Sequence, residues 1–320
     1  MLNNNIAELV QNLTGGQIAC PYCHTLFSRD GLAPLSTVTC PTCGKPFLVG
    51  IQVGKYYLQE CLGKGSYLAL SQEEREMLPV VVKVIPTDGQ DNLEDIKALW
   101  TEAQMGGLLN DTDFIAGCLD HGVSNGYYYI VRPYIEGERL DQFMARQGKL
   151  AIPNAITLAL HILAGLQHLY RLGFLYRNLC PEKVFVNQAG YAVLHDLGQC
   201  RTLTEASELA PFPTAVVSPY YAPERLLNQG ETIASEIYSL GMLLFYMLTG
   251  THYYTESELI DLIERCFKGT RPANPHLAAL PASLAILLDS MLRLNRAERP
   301  QDCPEVADSL KAILTELEDE

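Results

Sequence analysis

Tyr176-Arg177-Asn178-Leu179-Cys180-Pro181-Glu182-Lys183 runs directly into Val184-Phe185-Val186, and a short way on the chain reads Asp196-Leu197-Gly198. Apolar and β-branched runs at Val184–Val186 and Ala192–Leu194 predict two short strands. Ahead of the loop, Ile152–Leu172 predicts a long helix, with Pro153 near a helix start that tolerates it. A polar loop is therefore set between a helix and a pair of strands.

Working outward, the C-terminal side predicts helices over Ala234–Leu248, Glu256–Lys268, Leu280–Leu292 and Glu305–Leu317. On the N-terminal side, Tyr57–Leu62 and Val80–Ile85 read as strands and Leu93–Leu109 as a helix. Tyr127–Val131 reads as a strand after the turn signal Ser124-Asn125-Gly126. A short helix is expected within residues 1–14, where Ile6, Leu9, Val10 and Leu13 recur at helical spacing. The pattern is a small β-rich part followed by a larger helical one.

Several further motifs fall in one order with the loop, and together they resemble the protein kinase fold over about residues 55–318. Gly63-Lys64-Gly65-Ser66-Tyr67-Leu68 resembles the glycine-rich loop, with Leu68 where a third glycine is usual. Lys83 resembles the strand lysine that holds the α/β-phosphates, and Glu102 its ion-pair partner. Asp196-Leu197-Gly198 resembles the metal-binding D-F-G motif, and Ala222-Pro223-Glu224 matches A-P-E. Arg299 resembles the late arginine that pairs with the A-P-E glutamate, here Glu224. Glu236 precedes Ser239-Leu240-Gly241 where the family usually has an aspartate. The resemblance implies an α+β, two-lobed fold, with a β-rich small lobe and a helical large lobe.

Against that resemblance the opening stretch is degenerate. It aligns with H-R-D-L-x-x-x-N. Asn178 stands at the aspartate that accepts the substrate proton, and an amide has no useful basicity. Losing a positioned base costs ~10²–10⁴ in rate. Cys180 replaces a lysine usual near the transferred group. Lys183 replaces the asparagine that helps bind the second Mg²⁺. Val217 replaces a threonine whose hydroxyl would bond the missing aspartate. The resemblance therefore implies a pseudokinase, and the alternative is a serine/threonine kinase with an atypical loop. Displacement of the base onto Glu182, or transfer of the nucleotide rather than the phosphate, are further readings.

Nucleotide binding stays open. Gly63, Gly65, Lys83, Glu102 and Asp196 favour ATP, with the backbone N–H of Ile135 as a hinge contact and Lys183 as a cation beside the phosphates. Leu68 adds bulk, and Arg132 falls at the gatekeeper position. Lys183 weighs against Mg²⁺, and it can equally form an internal ion pair with Asp196.

The chain has 320 residues, 48% hydrophobic and 19% charged, with ordinary glycine and proline content. These values exclude a disordered chain and fit one large or two smaller domains. The net charge of −14 lowers the expectation of nonspecific nucleic-acid binding. Residues 1–54 carry Arg29 and Lys45 against Glu8 and Asp30, so all of it falls in the kinase-like part. Cys20, Cys23, Cys40 and Cys43 form C-x2-C-x16-C-x2-C, a spacing that reads as a zinc site. Two knuckles complete a four-sulfur shell with no open position, which disfavours catalytic zinc. His24 is an alternative ligand. A zinc ribbon over residues 1–50 is expected, either as a docking module or as a structural knob. Cys61, Cys118, Cys180, Cys200, Cys266 and Cys303 are expected as plain thiols, and free thiols beside a zinc site point to a reducing cytoplasm. Neither a secretory leader nor a clean membrane span is read. The expectation is a signalling or scaffolding module with a protein partner, no nucleic acid and no membrane.

Overall fold

The computed structural model describes residues 16–71, 79–88, 93–109, 112–208, 218–254, 261, 264, 266, 268 and 274–318. The helix expected within residues 1–14, most of that expected over Glu256–Lys268, and Val217 lie outside them. The chain divides into two compact units, Met1–Gly107 with Gly117–Tyr134, and Leu108–Ala116 with Ile135–Glu320.

Two antiparallel hairpins open the first unit: β1 (Gln17–Ala19) with β2 (Leu26–Ser28), and β3 (Thr37–Thr39) with β4 (Pro46–Leu48). Each hairpin closes over one cysteine pair. His24 N–H donates to Cys20 O and Gly44 N–H to Cys40 O, so both turns need a left-handed residue. Gly44 supplies it at φ 71° and His24 at φ 58°; glycine does so without a Cβ penalty. Ile18, Phe47 and Val49 are buried between the hairpins, with Phe27 and Val38 packed against them. That is all the core so short a segment can build.

Leu48 instead joins a second cluster with Ile51, Val53, Tyr56 and Leu58. This cluster lies on one face of a six-stranded antiparallel sheet. Its strands are β5 (Gln52–Val53), β6 (Tyr56–Gly63), β7 (Ser66–Ser71), β8 (Pro79–Pro86), β9 (Asp120–Ser124) and β10 (Tyr127–Pro133), in the order β5-β6-β7-β8-β10-β9. The link from the cysteine hairpins therefore shares the core of the sheet, whose edge strand β5 follows it directly. Helix α1 (Leu93–Gly106) covers the other face through Leu99 and Ala103, which pack with Ile85 and Ile130. α1 ends three residues before the expected Leu109. A Cβ on Gly106 would lie 2.3 Å from Cys118 Cβ, so the chain must carry glycine where the helix end meets the next segment.

The second unit is mainly helical. β11 (Gly137–Arg139) leads into α2 (Leu140–Gln147) and α3 (Ile152–Arg171), followed by β12 (Phe174–Leu175), β13 (Val184–Asn187) and β14 (Ala192–Leu194). β11, β13 and β14 form one antiparallel sheet. Then come β15 (Arg201–Thr202), which pairs with β12, and the helices α4 (Leu203–Ser207), α5 (Pro223–Leu226), α6 (Ile233–Thr249), α7 (Ala282–Met291) and α8 (Cys303–Glu318). α6 is buried around almost its whole circumference, the signature of a central helix. α3 is long and apolar enough by composition to cross a bilayer. Its Ile156, Ile162, Leu163 and Leu166 are buried in this unit, and α3 packs with α6 and α8.

Candidate functional site

The loop of residues 176–183 lies in the second unit, between β12 and β13. Tyr176 is fully buried, and its hydroxyl lies 2.5 Å from His195 O and 3.3 Å from Lys183 O. Burial keeps that hydroxyl protonated, well above the usual phenol range. His195 N–H also donates to Lys183 O at 3.2 Å. Val184 and Leu194 are register partners in β13 and β14, so Lys183 and His195 flank one rung of the ladder. The next residue, Asp196, takes φ 63° and ψ 69°, a left-handed conformation uncommon outside glycine. Lys183 Nζ forms an ion pair with Asp196 Oδ2.

Asn178 and Cys180 are half-buried, and the Glu182 residue is exposed. Burial, then the nearby Glu182 carboxylate, pushes the Cys180 thiol up. A protonated thiol is neither a nucleophile nor a substitute for a lysine cation.

Arg177 takes φ 66°. Its Nε and Nη2 donate to Glu231 Oε1 at 3.0 and 2.7 Å, and its N–H donates to Glu236 Oε1 at 2.7 Å. Arg225 donates to the other Glu231 oxygen from Nε and Nη2, at 2.8 and 2.5 Å. Glu231 is thus clamped between two guanidinium groups. Burial alone would raise its carboxyl, but Arg225 and Arg177 outweigh that and hold it below the usual range. Nearby, Arg299 grips Glu224 through two bonds of 2.8 Å, Nη1 to Oε1 and Nη2 to Oε2. The pairing expected from the sequence forms as a buried, bidentate contact.

In the first unit, strand parity arranges the remaining residues. Val80, Val82 and Val84 of β8 face the cluster that holds Tyr56 and Leu58. Ile85 faces α1, and Lys83 shares its side by the period of two. Lys83 is register partner to Ile130, and Arg132 lies two residues further along β10. Ile130 and Arg132 therefore also face α1. The consequence is a pairing that the sequence did not indicate. Arg132 Nε lies 3.2 Å from Glu102 Oε1, with both side chains buried. Glu102 thus forms an ion pair with Arg132. Gly63-Lys64-Gly65 forms the turn between β6 and β7, with positive φ at all three residues. Leu68 is buried in β7. Ile135 follows β10 and is half-buried in the second unit.

The profile of the protein kinase domain matches residues 56–310. The chain belongs to the protein kinase family. Its relatives include serine/threonine-protein kinase PknD of Mycobacterium tuberculosis (strain CDC 1551 / Oshkosh), 27% identical over 275 residues, which are 84% of this chain and 41% of that one. Serine/threonine-protein kinase PknH of the same strain is 25% identical over 257 residues, 79% of this chain and 40% of its own. The probable serine/threonine-protein kinase CPE1738 of Clostridium perfringens (strain 13 / Type A) is 23% identical over 263 residues, 81% of this chain and 38% of its own. The chain spans about two fifths of the length of these curated relatives.

Protein kinases use ATP with Mg²⁺ held by an aspartate and an asparagine. Here the residues do not fit the metal. The aspartate is ion-paired to Lys183, the residue that the resemblance sets at the asparagine position. A dication about 4 Å from an ammonium is repelled by about 8 kcal/mol at an effective dielectric of ~20.

The four cysteines fit a metal of another kind. One Sγ atom from each of Cys20, Cys23, Cys40 and Cys43 comes together, all within 4.8 Å of one another. Cys20 Sγ lies 3.6 Å from Cys43 Sγ, and Cys23 Sγ 3.5 Å from Cys40 Sγ. A tetrahedral zinc with Zn–S bonds of ~2.3 Å places sulfurs ~3.8 Å apart, while a disulfide needs ~2.05 Å. The hydroxyl of Thr25, then its backbone, holds the Cys23 thiol down at about 6. Backbone N–H groups of Cys43 and Thr42 lie 3.5 and 3.4 Å from Cys40 Sγ. Cys23 and Cys40 are held toward the thiolate, the form that ligates, whereas Cys43 is shifted the other way.

Tyr176, His195, Glu231 and Arg225 are site residues that motif matching passed over. Alternation in β10 carried a signal for Arg132, since it shares parity with Ile130. For Glu231 there was none, because its two partners lie 54 and 6 residues away in sequence.

Proposed function

We infer that this protein kinase family member is a pseudokinase, impaired in phosphoryl transfer, that works as a signalling or scaffolding module. Asn178 at the position of the catalytic base carries the reading. The Lys183–Asp196 ion pair supports it, because the carboxylate that would hold the metal has a protein cation instead. The four-cysteine hairpins form a zinc ribbon ahead of a kinase-like domain over residues 55–318. The partner is a protein and the setting the cytoplasm; the chain charge of −14 disfavours nucleic acid. Survival of the Glu224–Arg299 and Arg177–Glu231 pairs, which carry no chemistry of their own, fits a fold kept as a binding platform.

The second reading is an active serine/threonine kinase with an atypical loop, favoured by relatives described as serine/threonine kinases. Incubation with γ- and α-labelled ATP and a protein substrate mixture separates the readings. No incorporation is expected. Incorporation of γ-label above that of a Lys83→Met control overturns the pseudokinase reading, and α-label alone indicates nucleotide transfer.

A further inference from the structure

The Lys183–Asp196 pair is built into the backbone, unlike a chance surface contact. The single buried hydroxyl of Tyr176 reaches the carbonyls of Lys183 and His195 together, and the β13–β14 ladder fixes the spacing of their chain segments. His195 Nε2 lies 3.1 Å from Glu182 O, a third tie between the same two segments. Asp196 is held in a left-handed conformation, a strain that persists only where surroundings over-determine it. Its side chain is 20% exposed and that of Lys183 is 28% exposed, so water screens the pair only in part.

We propose that Lys183 is a tethered cation standing in for a divalent metal, so that Asp196 takes neither Mg²⁺ nor Mn²⁺ and a nucleoside di- or triphosphate binds this chain without metal. An ammonium has three donors, so beside the Asp196 contact it can donate to an anionic phosphate oxygen. Charge balance sets the expected strength. Aspartate with Mg²⁺ carries a net +1, whereas aspartate with lysine carries zero, so polyphosphate is held more weakly than in a metal-loaded kinase. The tether gives the cation a fixed position at no cost in free metal. The proposal rests on the pseudokinase reading, but the two fail separately: phosphate transfer overturns that reading, and metal binding overturns this one.

The test uses the full chain in metal-depleted buffer without chelator, because a chelator would strip thiolate-bound zinc. Mn²⁺ alone is titrated and followed by its paramagnetic resonance. Wild type is expected to leave millimolar Mn²⁺ unbound, and Lys183→Asn to bind it at least about tenfold more tightly. Lys183→Arg, which keeps the charge, is expected to match wild type. ATP is then titrated by calorimetry with and without Mg²⁺. Wild-type affinity is expected not to strengthen with Mg²⁺, while that of Lys183→Asn rises about tenfold or more with Mg²⁺. Wild-type Mn²⁺ binding at millimolar or tighter overturns the proposal, as does a folded Lys183→Asn that gains no Mn²⁺ binding. Wild-type ATP binding that strengthens about tenfold with Mg²⁺, or no ATP binding in either condition, overturns its polyphosphate half. Thermal unfolding of each variant establishes that it is folded.

Discussion

Arg132 Nε in β10 lies 3.2 Å from Glu102 Oε1 in α1, and neither side chain is more than a tenth exposed. The glutamate that the kinase resemblance assigned to Lys83 is thus engaged by Arg132, which the same resemblance sets at the gatekeeper position. Parity makes this possible: Arg132 follows Ile130 onto the face that α1 covers. A long guanidinium on that face must find a carboxylate or carry an unpaired charge into a largely apolar layer.

Removing one partner of such a pair takes away a buried charge contact of the other. Arg132→Met is expected to lose about 3–5 kcal/mol, read by urea unfolding. Arg132→Met with Glu102→Leu is expected to be more stable than Arg132→Met alone. Strict additivity of the two single losses would show that the residues are not coupled.

Acid sensitivity follows from the Glu224–Arg299 pair. Burial alone would raise the Glu224 carboxyl, but hydrogen bonds and charge from Arg299, with the Ser235 hydroxyl, outweigh it and the net direction is down from 4.5. A folded value below the unfolded one gives stabilisation that is complete above the unfolded value. It is lost as pH falls through the lowered folded value. Glu231 acts in the same sense, while Glu236, pushed up by burial, opposes it. Stability is expected to fall as pH drops below about 4.5. Arg299→Met should be less stable than wild type at pH 7 and should lose much of that slope. An unchanged slope in denaturant titrations from pH 7 to 3 would remove Glu224 as its source.

Zinc content offers a direct measurement. About one zinc per chain is expected by elemental analysis, and Cys20→Ser or Cys40→Ser should lose most of it. Chelation should release the metal and unfold the cysteine hairpins, whose core is only Ile18, Phe47, Val49 and their few neighbours. Because Leu48 belongs to the core of the adjoining sheet, amide exchange is expected to accelerate in β5 and β6 as well. Acceleration confined to residues 16–47 would show that the two cores are energetically separate.

Restoring the two most visible motif positions should not restore a kinase. Asn178→Asp with Lys183→Asn returns a carboxylate and a metal ligand, yet Cys180 remains with its thiol raised by burial and by Glu182. Phosphate transfer by the double variant is expected to stay at least ~10²-fold below that of an active serine/threonine kinase, the lower end of what one lost proton-transfer group costs. Full activity in a γ-label assay would show that positions 178 and 183 alone silence the site.

Local order and motif spacing were readable in the chain itself. The strands at Tyr57–Leu62 and Val80–Ile85 and the helices Ile152–Leu172 and Ala234–Leu248 emerge within one or two residues of their expected bounds. Their apolar periodicities are properties of neighbouring residues, and so is the spacing of the four cysteines. The α+β order and the kinase-like sequence of motifs depend on nothing else. The absence of a carboxylate at Asn178 is likewise complete in the sequence. Beyond Arg299 and Glu224, which the resemblance paired, charge partners were not readable in the same way. Lys83 and Arg132 both face α1, and only the packed register selects which of them meets Glu102. That Lys183 meets Asp196 is set by the β13–β14 ladder with the Tyr176 hydroxyl. Periodicity encodes which face a side chain takes, whereas a Coulomb partner depends on distances that only the folded chain sets.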